Sequence, residues 1–231
     1  MASRGEADFA RLPGIAAWIY DWLLRIPPAE AQTREIARDL ASRVDAGRVL
    51  DIGTGPGRLL AELHRLNGTL ELFGLDISAA MVRRARGNLQ GVAADLRQGN
   101  IRATDYEDGF FDAIVSVGSF YIWDQPAESV DEVYRILKPG RSACLFESYR
   151  DCDVRQFQRT LAANLATVDP VRRPISRLAL TKQLRMTYST GEYARIFDCT
   201  RFAGSYTLTR VTLANLPVWL RITLTKPAGS R

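Results

Sequence analysis

Arg48-Val-Leu-Asp-Ile-Gly-Thr-Gly-Pro-Gly57 is the stretch whose reading decides the fold. Val49, Leu50 and Ile52, interrupted only by Asp51, form the apolar run that a buried strand needs. Gly53, Gly55 and Gly57 then turn the chain into a helix that carries Leu59, Leu60 and Leu63. Glycines admit positive φ and let the backbone come close to a ligand, as a nucleoside lying across a strand end requires. The stretch reads as a nucleotide-binding strand, loop and helix; a plain strand-to-helix turn has no need of three glycines at alternate positions.

Downstream, Thr69-Leu-Glu-Leu-Phe-Gly-Leu-Asp76 reads as a second strand ending in a carboxylate. Asp76 follows Gly57 by 19 residues, close to the roughly 20-residue offset at which an acidic side chain on the neighbouring strand accepts ribose hydroxyls. Ser78 caps a helix to about Asn88 with Met81, Val82 and Ala85 inward, and a weaker strand from Val92 to Arg97 leads into Gln98-Gly-Asn-Ile101. Phe110-Phe-Asp-Ala-Ile-Val-Ser-Val117 is the next buried strand, followed by the aromatic loop Gly118-Ser-Phe-Tyr-Ile-Trp-Asp-Gln-Pro126. A helix from about Ala127 to Leu137 closes at Lys138-Pro139-Gly140, and Ser142 to Ser148 is the fifth strand. Residues 149–188 break the alternation with two helices, near 153–167 and 174–186, on either side of Asp169-Pro170. A helix at about Gly191 to Phe197 precedes two alternating segments, Gly204 to Thr212 and Pro217 to Thr225, which suit an antiparallel hairpin at the edge of a parallel sheet.

Upstream of the glycine stretch, Ile15, Trp18, Ile19, Trp22 and Leu23 recur at helical spacing, and Pro27-Pro28 ends that helix; a second runs from near Pro28 to about Val44 with Ile36, Leu40 and Val44 on one face. Residues 1–10 are small and polar and are expected to fray. The whole reads as one domain of 231 residues: an N-terminal helical cap at 1–45, a core at 46–148, a helical lid insertion at 149–188, and a closing helix and hairpin at 189–231. With 46% hydrophobic and 25% charged residues the chain suits a globular α/β core. It has no run of the roughly 18–20 uncharged apolar residues that a membrane span takes, and no leader pattern. Cys144, Cys152 and Cys199 make neither a CxxC pair nor a metal-ligand cluster, which points to a reducing, cytoplasmic setting without a structural metal. The net charge of +5 is uneven: residues 1–140 carry 16 basic and 20 acidic groups, residues 141–231 carry 15 and 6. Arg155, Arg159, Arg172, Arg173, Arg177, Lys182 and Arg185 concentrate the excess. Such a cluster is either a solvated helical face or a mouth that attracts an anionic substrate or an RNA backbone.

In order and motif the chain resembles the class I methyltransferases that use S-adenosylmethionine, and within them the small-molecule and ubiquinone/menaquinone-type branch. Val49 to Gly57 is similar to that family's first motif, Gly74-Leu-Asp-Ile-Ser78 to its second, Gln98-Gly-Asn-Ile101 to its third, Phe111-Asp-Ala-Ile-Val-Ser116 to its fourth, and Arg135-Ile-Leu-Lys-Pro-Gly140 to the turn before strand five. The likeness covers about residues 45–148 and implies a Rossmann-like fold: a mostly parallel seven-stranded sheet with an antiparallel C-terminal hairpin and an N-terminal helical cap. It also implies S-adenosylmethionine as cofactor and S-adenosylhomocysteine as product. Asp51 and the Gly53-Thr54-Gly55 backbone would hold the amino-acid end, and Asp76 the ribose. Ile77 and Met81 would pack on the cofactor, and Asn100, where the family usually has aspartate, would accept the adenine amino group, as an amide oxygen can. Ile101 would offer its backbone to the adenine edge, and Ser116 and Val117 would line the floor below the sulfonium. Tyr20-Asp21 is similar to a pair with which related enzymes close over the cofactor, though an amphipathic core tyrosine would read alike.

A nicotinamide dinucleotide would call for GxGxxG, whereas here Arg58 follows Gly57 and the third glycine falls one position early. Because the methyl of S-adenosylmethionine is already activated, few catalytic groups are obligatory. His64, the only histidine, falls in the helix after the glycine loop. Tyr121, Glu147 and Tyr149 are the candidates for binding or deprotonating the substrate, since they fall at strand C-terminal ends. Tyr121, Phe120 and Trp123 could equally be apolar walls, and Glu147 a partner for an arginine. The absence of Asp/Asn-Pro-Pro-Tyr/Phe after strand four counts against the branch that methylates adenine or glutamine nitrogen. The expected function is methyl transfer to a small acceptor, anionic or aromatic, by a monomer or homodimer. Methylation of RNA and non-catalytic binding of S-adenosylmethionine are the alternatives.

Overall fold

The computed structural model describes residues 14–229, the side chains of 15–17, 23 and 24 apart. The expected fraying of residues 1–10 and the inward faces of Ile15 and Leu23 lie outside what is described. Two helices, α1 (Gly14–Leu24) and α2 (Pro27–Ala41), precede an alternation of β1 (Gly47–Ile52), α3 (Arg58–Leu66), β2 (Leu70–Asp76), α4 (Ala79–Asn88), β3 (Ala94–Gln98), β4 (Phe111–Val117), α5 (Pro126–Ile136) and β5 (Leu137–Ser148). Then α6 (Val154–Leu165), α7 (Arg172–Met186) and α8 (Thr190–Asp198) lead into β6 (Tyr206–Leu213) and β7 (Leu216–Thr225).

Local chemistry sets the boundaries. Pro27 and Pro28 open α2, where a missing N–H costs nothing. The Ser78 hydroxyl accepts from Met81 N to start α4, Asp153 accepts from the amides of Arg155 and Gln156 to start α6, and Ser189 and Glu192 form a reciprocal capping box on α8. The strands assemble in the order β3-β2-β1-β4-β5-β7-β6. Neighbours from β3 to β5 run parallel, β7 is antiparallel to β5, and β6 is antiparallel to β7. This is the mixed sheet with a closing hairpin that the motif order implied. Ala214 and Asn215 turn the hairpin with φ of 48° and 63°, the positive pair whose twist matches that of the flanking strands.

One boundary differs from expectation. Lys138-Pro139-Gly140 lies within β5 rather than before it, because Leu137 already pairs with Phe111 before the register shifts to Ala113 opposite Ser142. The residues between bulge outward.

Side chains alternate across the sheet into two cores. On one face Val49, Leu72, Val115 and Phe146 meet Ile36 and Leu40 of α2, Leu60 and Leu63 of α3, Val82 of α4, and Phe157 and Leu161 of α6. On the other, Leu50, Ile114, Leu145 and Ile222 meet Val130 and Val133 of α5 and Tyr193 and Phe197 of α8. Of the two helices read as a cap, α2 is therefore part of the core layer. The first helix, α1, packs instead on α4 and α7.

Lys226, just past β7, ties the second core to the sheet. It is almost fully buried, and its ammonium donates to the carbonyls of Tyr134 (2.9 Å), Leu137 (2.8 Å) and Arg135 (3.5 Å). Those are the carbonyls that the end of α5 leaves without helical partners. Lys226→Met keeps the stem and removes this donor from the Tyr134 and Leu137 carbonyls, while that of Arg135 keeps the Gly109 amide; the expected loss is about 2–4 kcal/mol in urea unfolding, and an unchanged midpoint would contradict this role of Lys226 at the α5 terminus.

Candidate functional site

Between β1 and β4 the strand order reverses, and the chain leaves the two strands in opposite directions. The crevice that opens there, at the carboxyl ends of the strands, is where open α/β sheets bind ligands. Its floor depends on a close approach. Gly53 has a φ of +70°, and a Cβ placed on it would lie 2.6 Å from the Cβ and Oγ of Ser119, in the loop after β4. Only glycine meets both conditions.

Ser119 is itself fixed from several sides. Its hydroxyl bonds the Ser116 hydroxyl (2.7 Å) and accepts from Trp123 Nε1 (3.2 Å), while its amide and that of Phe120 donate to Glu147 Oε1 (2.9 and 3.0 Å). On the β2 side Asp76 is the organiser: its carboxylate accepts from Gly55 N and Ser78 N, both at 2.8 Å, and its carbonyl accepts from Gly99 N (3.0 Å). One residue thus joins the glycine loop, the start of α4 and the loop after β3.

These loops enclose a cavity of about 90 Å³. Of the residues expected at the cofactor, Tyr20, Gly53, Gly55, Asp76, Ile77, Met81, Asn100, Ile101 and Val117 line it, as does Tyr121 from the candidate catalytic set. Ile52, Leu75, Gly99, Gly118, Ser119 and Ile122 line it too, without having been singled out for it, and Trp123 takes the wall position that the aromatic loop allowed. Phe120 turns away, wholly buried among Trp123, Tyr193 and Phe197.

Five expected residues lie elsewhere. Asp51 and Thr54 are buried and line neither this cavity nor the larger one beside it, and Ser116 is spent on Ser119. Glu147 is fully buried under the loop after β4, and its partners are backbone amides rather than an arginine. Tyr149 lies in the second core with Arg210 over its ring, and its hydroxyl donates to the Pro217 carbonyl (3.4 Å). Each of the five adjoins in sequence a residue that lines one of the two cavities, Ser148 of the larger one for Glu147 and Tyr149; strand alternation or the turn points the side chain behind the wall instead of through it.

The electrostatics follow burial. Burial pushes Asp51 and Glu147 up to about 7 and raises Asp76 against the pull of its two amide bonds. Desolvation likewise raises the phenols of Tyr20 and Tyr121. Asp21 goes the other way. Burial alone would raise it, but hydrogen bonds from Arg58, Arg84 and Arg25 prevail and hold it at about 2. Those guanidinium groups approach to 2.7, 2.7 and 3.0 Å and clamp α1 onto α3 and α4. With Asp21 so fixed, its neighbour Tyr20 stands over the cavity.

A second cavity of about 210 Å³ abuts the first, and Tyr20, Val117 and Gly118 line both. Its walls are largely apolar: Ile26 and Ala29, Phe157 of α6, Leu180 and Leu184 of α7, and Val218 and Trp219 of β7. Gln183 reaches the junction, its amide nitrogen 3.1 Å from where a Cβ on Gly118 would stand. Two buried polar atoms of lining residues, Trp219 Nε1 and Ser176 Oγ, have no hydrogen-bond partner.

Comparison with known proteins matches this architecture. A family model described as a methyltransferase domain matches residues 49–140. The uncharacterized methyltransferase YdaC of Bacillus subtilis is 30% identical over 121 residues, covering 50% of this chain and 67% of that protein. The demethylmenaquinone methyltransferase of Thermus thermophilus is 29% identical over 132 residues, 55% of this chain and 60% of the enzyme's length. A solved S-adenosylmethionine-dependent methyltransferase from Aquifex aeolicus, 15% identical, superposes with a TM-score of 0.64 over 93% of this chain and 100% of its own, a likeness of fold. With the glycine loop, the acidic end of β2 and the seven-stranded order in place, the chain belongs to the class I S-adenosylmethionine-dependent methyltransferases.

Proposed function

We propose that the smaller cavity holds S-adenosylmethionine and the larger one a small, predominantly apolar acceptor, which the protein methylates. The observation that carries this reading is the shared wall at Tyr20, Val117 and Gly118. It makes the two cavities neighbours at the strand-end crevice.

The residues present fit the cofactor. An ionised carboxylate offers about four lone-pair positions, and Asp76 spends two of them on Gly55 and Ser78; the remaining two suit a pair of ribose hydroxyls. Gly53 and Gly55 leave the loop bare of side chains where the amino-acid end would pass. Ile77, Met81 and Ile101 supply an apolar slot for adenine, with the polar Asn100 at its edge. Asp51, Thr54 and Ser116 act from behind, as supports of the loops that touch the ligand.

When bound, the cofactor supplies an already activated methyl group, so the protein's own task is alignment and the exclusion of water. Tyr20 and Tyr121 serve as walls, since a phenol is protonated at neutral pH and both are shifted further upward. Glu147 positions the loop after β4 through its amide contacts. Among the described residues that line the larger cavity the cation is Arg58, which Asp21 already engages; this favours a neutral acceptor over an anionic one. The unpartnered Trp219 Nε1 and Ser176 Oγ call for one polar atom on an otherwise apolar molecule. The basic excess that raised RNA as an alternative is spread over α6 and α7, and none of its seven residues lines this chamber. The chain is proposed to work as one domain, with α6 and α7 as the lid over the acceptor.

Asp76→Ala is expected to weaken binding of S-adenosylhomocysteine by about 1.5–3 kcal/mol in calorimetry, the size of hydrogen bonds to a charged group; an unchanged dissociation constant would place the ribose elsewhere. A second test concerns Glu147. Its carboxyl rises from 4.5 to about 7 on burial, so folding favours the protonated form. That contribution is complete below the unfolded value and is lost as pH rises through the folded one. Glu147→Gln keeps an acceptor for the two amides and does not titrate. The fall in stability between those two pH values should therefore shrink by about 1–3 kcal/mol in the variant, and identical pH profiles would show that Glu147 is solvated.

A further inference from the structure

Both faces of α7 carry apolar side chains, which a helix at the surface of a water-soluble core does not require. Inward, Leu180, Gln183 and Leu184 line the larger cavity. Outward, Val171 is 66% exposed, Ile175 44%, Leu178 71% and Met186 45%. Their spacing of four, three and eight residues keeps them on one stripe. Lys182 lies on that stripe between Leu178 and Met186, Arg185 at its edge and Arg177 farther round; all three are exposed, and among the described residues none of them has a carboxylate within 4.0 Å. Several arginines elsewhere are drawn into ion pairs, three of them on Asp21 alone. From α1, which packs on α7, Trp18 and Ile19 add exposed apolar surface.

We propose that this outer face of α7 seats the protein on an anionic lipid surface, the helix lying in the headgroup layer. Aliphatic side chains flanked by unpaired cations match such a surface in both respects: the stripe enters the acyl boundary and the cations meet acidic headgroups. Among the described residues no helix is long and apolar enough to cross a membrane, so the contact is peripheral. An RNA backbone would reward the cations but gain nothing from Val171, Ile175 and Leu178, since base stacking needs aromatic rings. A second copy of this chain would bring like charges together. The same helix is one wall of the apolar chamber, so a lipid surface also accounts for its inner face, as a source from which an apolar molecule would reach the chamber. The proposal goes beyond methyl transfer and can be tested without it.

The test is co-sedimentation of the full chain with large unilamellar vesicles of phosphatidylcholine alone and of phosphatidylcholine mixed with phosphatidylglycerol, at rising salt. Binding is expected to the mixed vesicles and to fall with salt. Lys182→Gln and Arg185→Gln should each weaken it about fivefold, and Leu178→Ser about tenfold. All three positions are exposed, and circular dichroism establishes that the variants fold. The unmodified chain's preference for anionic vesicles tests the proposal in any case. Equal sedimentation with both vesicle types, none with either, or binding that ignores all three substitutions would overturn it. So would a salt-sensitive complex with single-stranded RNA, or a dimer dissolved by Leu178→Ser, in place of vesicle binding.

Discussion

The site depends on how closely two loops pass at Gly53 and Ser119. Any side chain on Gly53 would meet Ser119 at 2.6 Å, so the glycine loop and the loop after β4 are held at a separation only a bare backbone allows. This contact sets where the crevice between β1 and β4 closes. It also explains why so many bonds converge on Ser119, with Ser116, Trp123 and Glu147 all partners of its hydroxyl or amide. A loop required to stop at one distance from its neighbour has to be fixed from behind, and the sheet supplies the fixing groups from β4 and β5.

Holding loops in this way places carboxylates where water does not reach. Asp51, Asp76 and Glu147 are all buried around the crevice, and all are raised by burial. Asp76 and Glu147 are offset by backbone amides, two each, which bind the charged form without bringing in a counter-ion. Asp21 is treated differently, with three guanidinium groups on one carboxylate. That cluster holds a helix over the mouth, where a charge network remains partly in water. The polar groups inside thus rigidify the crevice, while those outside fasten its cover.

Much of this architecture was legible in the residues. The apolar run before Gly53, the acidic end of β2 and the capping residues Ser78 and Asp153 fix strands and helices through local chemistry, so they read directly. Residues of the loops at the strand ends, such as Asp76, Ile77, Asn100 and Ile101, line the smaller cavity. Side-chain direction just inside those ends did not read as well. Ser116 on β4, Glu147 on β5 and Tyr149 just past it lie at the right height, but each faces the second core, because a shift of one residue along a strand moves the side chain to the other face. The larger cavity was not legible at all. Ile26, Phe157, Leu184 and Trp219 come from four separate elements, and no periodicity or spacing relates them. Nor did the sequence show that α2 belongs to the core layer: its apolar stripe would have packed on any partner.

The measurement that tests the account most directly is a crystal structure of the chain with S-adenosylhomocysteine. The ligand is expected in the smaller cavity, its ribose at Asp76, its adenine beside Ile77 and Ile101 and its amino-acid end over Gly53 and Gly55, with the chamber between α6, α7 and β7 left open. A ligand seated in that larger chamber, or one that touches neither Asp76 nor the glycine loop, would contradict it.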